Sequence, residues 1–148
     1  MQDGPNGRDA VPGIRPRVLV VEDDPEMRDL LTDVLNGEGF AAASAGDGAE
    51  ALIRLRSDTF AAVLLDKNMP GLSGLDLLPS LRTMCPNTPI ILTTAFGDPE
   101  TAQEAAIKGA HAYLPKPFTT QNLLDAIRRA LEPGHVEVPS PSTPGGSQ

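Results

Sequence analysis

At 148 residues the chain has room for one ordinary domain and not for two. Apolar residues make up 40% of it and aromatics 3%, so an aliphatic core is expected, and the single cysteine, Cys85, excludes an internal disulfide framework and a thiolate-rich metal site. The net charge is −8, and the 16 acidic and 10 basic residues between positions 17 and 131 exclude the basic footprint of a direct nucleic-acid binder.

Residues 1–16 hold three prolines, three glycines and little apolar material, the composition of a disordered lead-in. They lack the apolar run of a signal peptide, and no stretch of about 18 apolar residues could span a membrane. A cytoplasmic protein without a membrane partner is the expectation. The first strand is Arg17–Val21, a continuous β-branched and apolar run suited to burial on both faces. It stops at Glu22, Asp23, Asp24 and Pro25, where Asp24 is the expected N-cap and Pro25 the first helical residue. The helix that follows carries Met27, Leu30, Leu31, Val34 and Leu35 on one face and ends at Gly37 and Gly39. A weaker strand over residues 40–44 leads through Asp47 and Gly48 into a second helix, with Ala49, Leu52, Ile53 and Leu55 apolar.

The third strand spans residues 61–65, with Asp66 at its C-terminal end. A loop of Lys67, Asn68, Met69, Pro70 and Gly71 enters a helix containing Leu75, Leu77, Leu78 and Leu81. The fourth strand, residues 89–93, ends in Thr94 and Ala95. Asp98 and Pro99 repeat the cap-and-proline start, and Ala102, Ala105, Ala106 and Ile107 form a thin apolar face on the fourth helix. A fifth strand over 111–114 runs into Pro115, Lys116, Pro117 and Phe118, and a last helix over 120–131 buries Leu123, Leu124, Ile127 and Leu131. Residues 132–148 have the Pro/Ser/Gly-rich composition of a flexible tail or linker, and no internal repeat is present.

Five strands alternating with five helices predict an α/β fold over residues 17–131, a (βα)5 doubly wound five-stranded parallel sheet of the flavodoxin-like type. Functional sites in such sheets lie beyond the C-terminal strand ends. That rule selects Glu22 and Asp23, Asp66, Thr94 and Lys116. Three carboxylates on one edge repel unless a cation sits among them, and a hard divalent ion with oxygen ligands, magnesium above all, meets the need. Asp23, Asp66 and the backbone carbonyl of Asn68 can each supply an oxygen. Lys116 adds a mobile positive charge able to pair with a carboxylate or a phosphoryl oxygen, and Thr94 a hydroxyl donor to the same oxygen. Asp24 reads instead as a helix cap, and Cys85 as a spectator thiol.

Four segments carry a resemblance: Val20-Val21-Glu22-Asp23, Asp66-Lys67-Asn68-Met69-Pro70-Gly71, Thr94-Ala95, and the run from Gly109 through Tyr113 and Lys116 to Phe118. In order and spacing they resemble the receiver domains of two-component response regulators, of the chemotaxis-regulator type, over about residues 17–131. The resemblance implies a receiver fold in which Asp66 accepts a phosphoryl group from the phosphohistidine of a sensor histidine kinase or a phosphotransfer protein. It implies that Asp23 binds Mg2+ directly and Glu22 through water, with Arg28 at a helix position common in the family. It makes Thr94 the switch hydroxyl, Tyr113 the aromatic that moves inward, and Lys116 the phosphoryl-binding lysine, its bond to Pro117 usually cis. The switching surface would be the fourth helix, fifth strand and fifth helix, acting on a downstream partner or a missing effector domain, or forming a homodimer.

Phosphoryl transfer agrees with these residue types, since it needs positioning and charge neutralisation more than covalent chemistry from the protein. The chain would then catalyse only its own phosphorylation and dephosphorylation. Lys67 is expected to face solvent, and Asn68 and Phe96 to flank the path of a hydrolytic water. His111 and His135 do not lie on the long amphipathic helix a phosphohistidine needs. A haloacid-dehalogenase-like phosphatase also places an Asp after a strand, but wants a second Asp where Asn68 stands. A flavodoxin-like cofactor binder needs a phosphate-cradling first loop, and Glu22-Asp23-Asp24-Pro25 is acidic. A P-loop is absent. A degenerate receiver that acts by binding alone is the remaining alternative.

Overall fold

The computed structural model describes residues 15–95 and 99–132 of the chain. Five strands and five helices alternate: β1 Arg17–Val21, α1 Pro25–Gly37, β2 Ala41–Ala45, α2 Gly48–Ser57, β3 Ala62–Asp66, α3 Gly74–Met84, β4 Ile90–Thr94, α4 Pro99–Lys108, β5 Ala112–Pro115 and α5 Thr120–Ala130. The sheet is wholly parallel in the order β2-β1-β3-β4-β5. This is the doubly wound, flavodoxin-like (βα)5 arrangement expected from the sequence.

The strands are apolar throughout because both faces are covered, and their two-residue period sends alternate side chains to two separate cores. Leu19, Val21, Val63, Leu65, Ile90 and Leu92 pack with Ala51 of α2, the leucines of α3 and Ala105 of α4. Val18, Val20, Ala62, Leu64 and Ile91 pack with Leu31 and Leu35 of α1 and with Leu123, Leu124 and Ile127 of α5. Each fully buried Leu or Ile contributes roughly 1.5–3 kcal/mol. The two layers thereby fix the heights at which the strands end. The strand order reverses direction between β1 and β3, the place where such sheets open a crevice.

Four strands begin and end one residue later than apolarity alone predicts. Parallel pairing, not hydrophobicity, sets the limits: Arg17 pairs with Ala41, Val18 with Ala62, Val63 with Ile90 and Ile91 with Ala112. The shift matters at the functional edge. Asp66 and Thr94 are the last residues of their ladders, Asp66 opposite Thr93 and Thr94 opposite Pro115, rather than the first residues of loops.

Three expected core residues face outward. Leu30 is 55% exposed, Ile53 59% and Ile107 81%. In α4 the buried side is Thr101, Ala102 and Ala105, and in α2 it is Gly48 and Ala51, with Ala49 exposed. Helical spacing alone drew those faces too wide, because each helix touches the sheet along a strip narrower than its apolar stripe. Asp24 caps α1 by accepting from the Glu26 amide at 3.1 Å. Asp98, Phe96 and His135, the lead-in up to residue 14 and the tail from residue 133 lie outside the described residues. No described helix is long and apolar enough to cross a membrane.

Candidate functional site

β1, β3, β4 and the segment after β5 deliver their last residues to one edge of the sheet. Glu22 is 3% exposed, Asp66 2% and Thr94 0%, while Asp23 is half-buried. One carboxylate oxygen from each of Glu22, Asp23 and Asp66 lies within 4.8 Å of the other two. Lys116 reaches across from the segment after β5, its Nζ donating to Glu22 Oε1 and to Asp66 Oδ1, both at 3.3 Å. Lys116 is joined to Pro117 by a cis peptide bond.

One lysine shared between two buried carboxylates cannot neutralise both. Burial, and then the charge of Asp66, push the Glu22 carboxyl above its usual range, against the pull of Lys116. Burial works to lower the Lys116 ammonium, but the charges of Asp66 and Glu22 outweigh it and raise that group. Lys116 is therefore firmly cationic while the cluster keeps an excess of negative charge. Buried oxygen donors in acidic excess are what a small hard dication requires, and magnesium fits them. Glu22, Asp23 and Asp66 are the side chains placed to hold it.

The backbone is held as tightly as the side chains. Arg28, on α1, donates to the carbonyls of Glu22 at 2.9 Å and Asp23 at 3.5 Å, pinning the first acidic loop from beneath. Within the β3–α3 loop, the Asn68 amide donates to Asp66 Oδ1 at 3.1 Å, and the Lys67 amide to the Thr93 carbonyl at 2.7 Å. Lys67, expected to face solvent, is half-buried. Gly74 donates to the Lys67 carbonyl at 3.0 Å and lies against the strand end: a Cβ there would stand 2.4 Å from the Asp66 carbonyl oxygen. Only glycine lets α3 start this close to Asp66.

Thr94 donates from Oγ1 to Asn68 Oδ1 at 3.3 Å, and the Ala95 amide donates to the same oxygen at 2.8 Å. Tyr113 pairs in register with Leu92, two residues before Thr94, and its half-buried ring packs on the core shared with α2, α3 and α4. Thr94 and Leu92 share a face by strand alternation, so Tyr113 lies diagonally beside Thr94. The structure thus gathers Glu22, Asp23, Asp66, Thr94, Asn68 and Lys116 into one site, with Tyr113 one position removed. His111 lies at the opposite end of β5. Sequence reasoning missed the hydrogen bonds of the Asn68 carboxamide to Thr94 and Ala95, and it missed Gly74. The only signal for Gly74 was a glycine directly after the capping Ser73.

The family model of the response regulator receiver domain matches residues 18–128. The response regulator protein FleR of Pseudomonas aeruginosa is 43% identical over 116 residues, 76% of this chain and 24% of that protein. The DNA-binding response regulator MtrA of Mycolicibacterium smegmatis is 40% identical over 118 residues, 80% of this chain and 51% of that protein. The chain therefore spans between a quarter and a half of these curated relatives. Among solved structures, the response regulator protein TrrA of Thermotoga maritima, in complex with Mg(2+)-BeF, aligns with a TM-score of 0.72 and 34% identity, covering 78% of this chain and 99% of that one.

Proposed function

The chain belongs to the response regulator receiver domain family, and on that premise we propose that Asp66 is its phosphoacceptor, served by a magnesium ion and by Lys116. The observation that carries this reading is the double contact of Lys116 with Asp66 and Glu22, at 3.3 Å each, inside a buried acidic cluster. Glu22 and Asp66 each touch the lysine and a loop amide, and of the three carboxylates Asp66 alone is the last residue of a central strand.

Asp23, Asp66 and the Asn68 carbonyl would hold the metal, with Glu22 acting through water; when bound, the ion would neutralise charge on the transferring phosphoryl oxygens. An Asp66 carboxylate oxygen attacks phosphorus as the bond from phosphorus to the donor imidazole nitrogen breaks. The bonding pair stays on that nitrogen, and the product is an aspartyl phosphate. Lys116 turns from Glu22 toward the new phosphoryl oxygens, and Thr94 donates its hydroxyl to one of them. Tyr113 then occupies space that Thr94 vacates, and the surface of α4, β5 and α5 changes. This is a shift between two existing states by a group that binds one of them better. The chain is catalyst only for its own phosphorylation and dephosphorylation.

The donor is a sensor histidine kinase or phosphotransfer protein of the cytoplasm. Lys116 lines both the acidic site and an apolar groove of about 430 Å3 that includes Leu30, Val34, Pro117, Phe118 and Leu123. A protein that brings a phosphohistidine to Asp66 lies across that groove, which accounts for the exposure of Leu30. The output is a protein partner, a homodimer through α4, β5 and α5, or an effector domain; DNA binding in the manner of MtrA would belong to such a domain and not to residues 17–131. Intact mass after incubation with acetyl phosphate, with magnesium or with a chelator, tests the chemistry. A gain of one phosphoryl group only with magnesium supports it. A gain that survives chelation, or none at all, overturns it.

A further inference from the structure

Two donors on β4 and its exit, the Thr94 hydroxyl and the Ala95 amide, converge on a single atom, Asn68 Oδ1. Convergence of a hydroxyl and a backbone N–H on one point is how a protein recognises one oxygen of an anion. Here a neutral carboxamide oxygen of the chain itself sits at that point. Its Nδ2 cannot take the place, since the Ala95 amide can only donate. The loop that carries it is fastened to the acceptor, because the Asn68 amide donates to Asp66 Oδ1, the oxygen that also receives Lys116.

We propose that the Asn68 carboxamide is a built-in stand-in for a phosphoryl oxygen, a latch that occupies the Thr94 and Ala95 donors until the phosphoryl group displaces it. The proposal rests on the reading of Asp66 as phosphoacceptor. A phosphoryl oxygen wins the exchange because a charged acceptor makes roughly twice as strong a hydrogen bond as a neutral one. Asn68 is exposed, so its displaced carboxamide is rehydrated at once. The Asn68 carboxamide is a positioning group: it sets how readily the phosphorylated state forms, while the contact with Asp66 is made by the backbone amide of the same residue. It also holds the Thr94 side chain toward the loop before any phosphoryl group arrives.

The test compares the wild type with Asn68→Ala, which keeps the backbone carbonyl, and with Asn68→Asp, which keeps the acceptor oxygen. The first readout is hydrogen exchange of the Ala95 amide without metal or phosphodonor. The second is the affinity for beryllofluoride with magnesium, followed by the fluorescence of Tyr113, the sole tyrosine in a chain with no tryptophan. Asn68→Ala should speed Ala95 exchange and bind beryllofluoride roughly two- to tenfold more tightly, the worth of the released hydrogen bonds; Asn68→Asp should keep the amide slow. Unchanged Ala95 exchange in Asn68→Ala overturns the latch, and so does unchanged or weaker beryllofluoride binding. If neither wild type nor variant takes up beryllofluoride although Ala95 exchange responds, the phosphoacceptor reading itself fails and the competition fails with it.

Discussion

Lys116 and Asp66 are 50 residues apart in sequence and 3.3 Å apart across the edge of the sheet, with Glu22 on the other side of the same ammonium. That contact holds three elements together through charge. The carboxylates are almost wholly buried and the lysine is 21% exposed, so neither acid has water to replace its partner. Lys116→Ala should destabilise the metal-free chain by about 3 kcal/mol, the cost of stranding buried charge. Magnesium should restore more stability to the variant than it adds to the wild type. Urea unfolding midpoints with and without magnesium read both effects.

The contact of Gly74 with the Asp66 carbonyl gives a second expectation. A methyl group at Gly74 collides with backbone rather than with a movable side chain, so β3 or α3 must shift. Gly74→Ala should cost about 1–3 kcal/mol, as overpacking does, and should slow phosphorylation more than it lowers the unfolding midpoint would explain. Phosphorylation rates measured well below the unfolding midpoint separate the two effects.

Leu30 distinguishes protein donors from small ones. Leu30→Asp should leave phosphorylation by acetyl phosphate within about twofold of wild type, since Leu30 lines the groove and lies outside the group of Glu22, Asp23, Asp66 and Lys116. Transfer from a phosphorylated histidine kinase should fall by at least about tenfold, the effect of placing one charge in an apolar contact worth about 1.4 kcal/mol or more. The measurement is the ratio of the two rates. Equal losses would remove the groove from the account.

His111 gives the chain a pH dependence remote from the acidic site. Its Nδ1 accepts from the Ile90 amide at 3.3 Å while its own amide donates to the Ile90 carbonyl at 2.8 Å. Burial, and then the charge of Arg82, hold the imidazole below its ordinary value of 6.5. A depressed base means the fold prefers the neutral ring. The stability it contributes is present in full above pH 6.5 and is lost as pH falls through the lower, folded value. His111→Asn keeps an acceptor that does not titrate, and should flatten the decline of the urea midpoint below pH 6.5.

The alternation of strands and helices was legible in the sequence because apolar runs and cap-plus-proline starts are local signals, and Asp24 with Pro25 begins α1 as read. Glu22, Asp23, Asp66, Thr94 and Lys116 were legible together because one topological rule sends the ends of parallel strands to one edge. What escaped depends on distances between elements. Ile107 falls in the apolar period of α4 yet points away from the sheet, which the period cannot register. The strand ends moved by one residue because pairing partners, not hydropathy, decide where a ladder stops. Gly74 and the Asn68 carboxamide act across loops, on Asp66 and on Ala95, and no spacing along the chain announces either contact.

Whether Asp66 takes the phosphoryl group is read from the phosphoryl content of wild type and Asp66→Asn after acetyl phosphate and magnesium. Asp66→Asn removes one of three crowded carboxylates and should fold. One phosphoryl group is expected on the wild type, mapped to the peptide containing Asp66, and none on the folded variant. A phosphoryl group of equal occupancy on Asp66→Asn, at Asp23 or elsewhere, would contradict it.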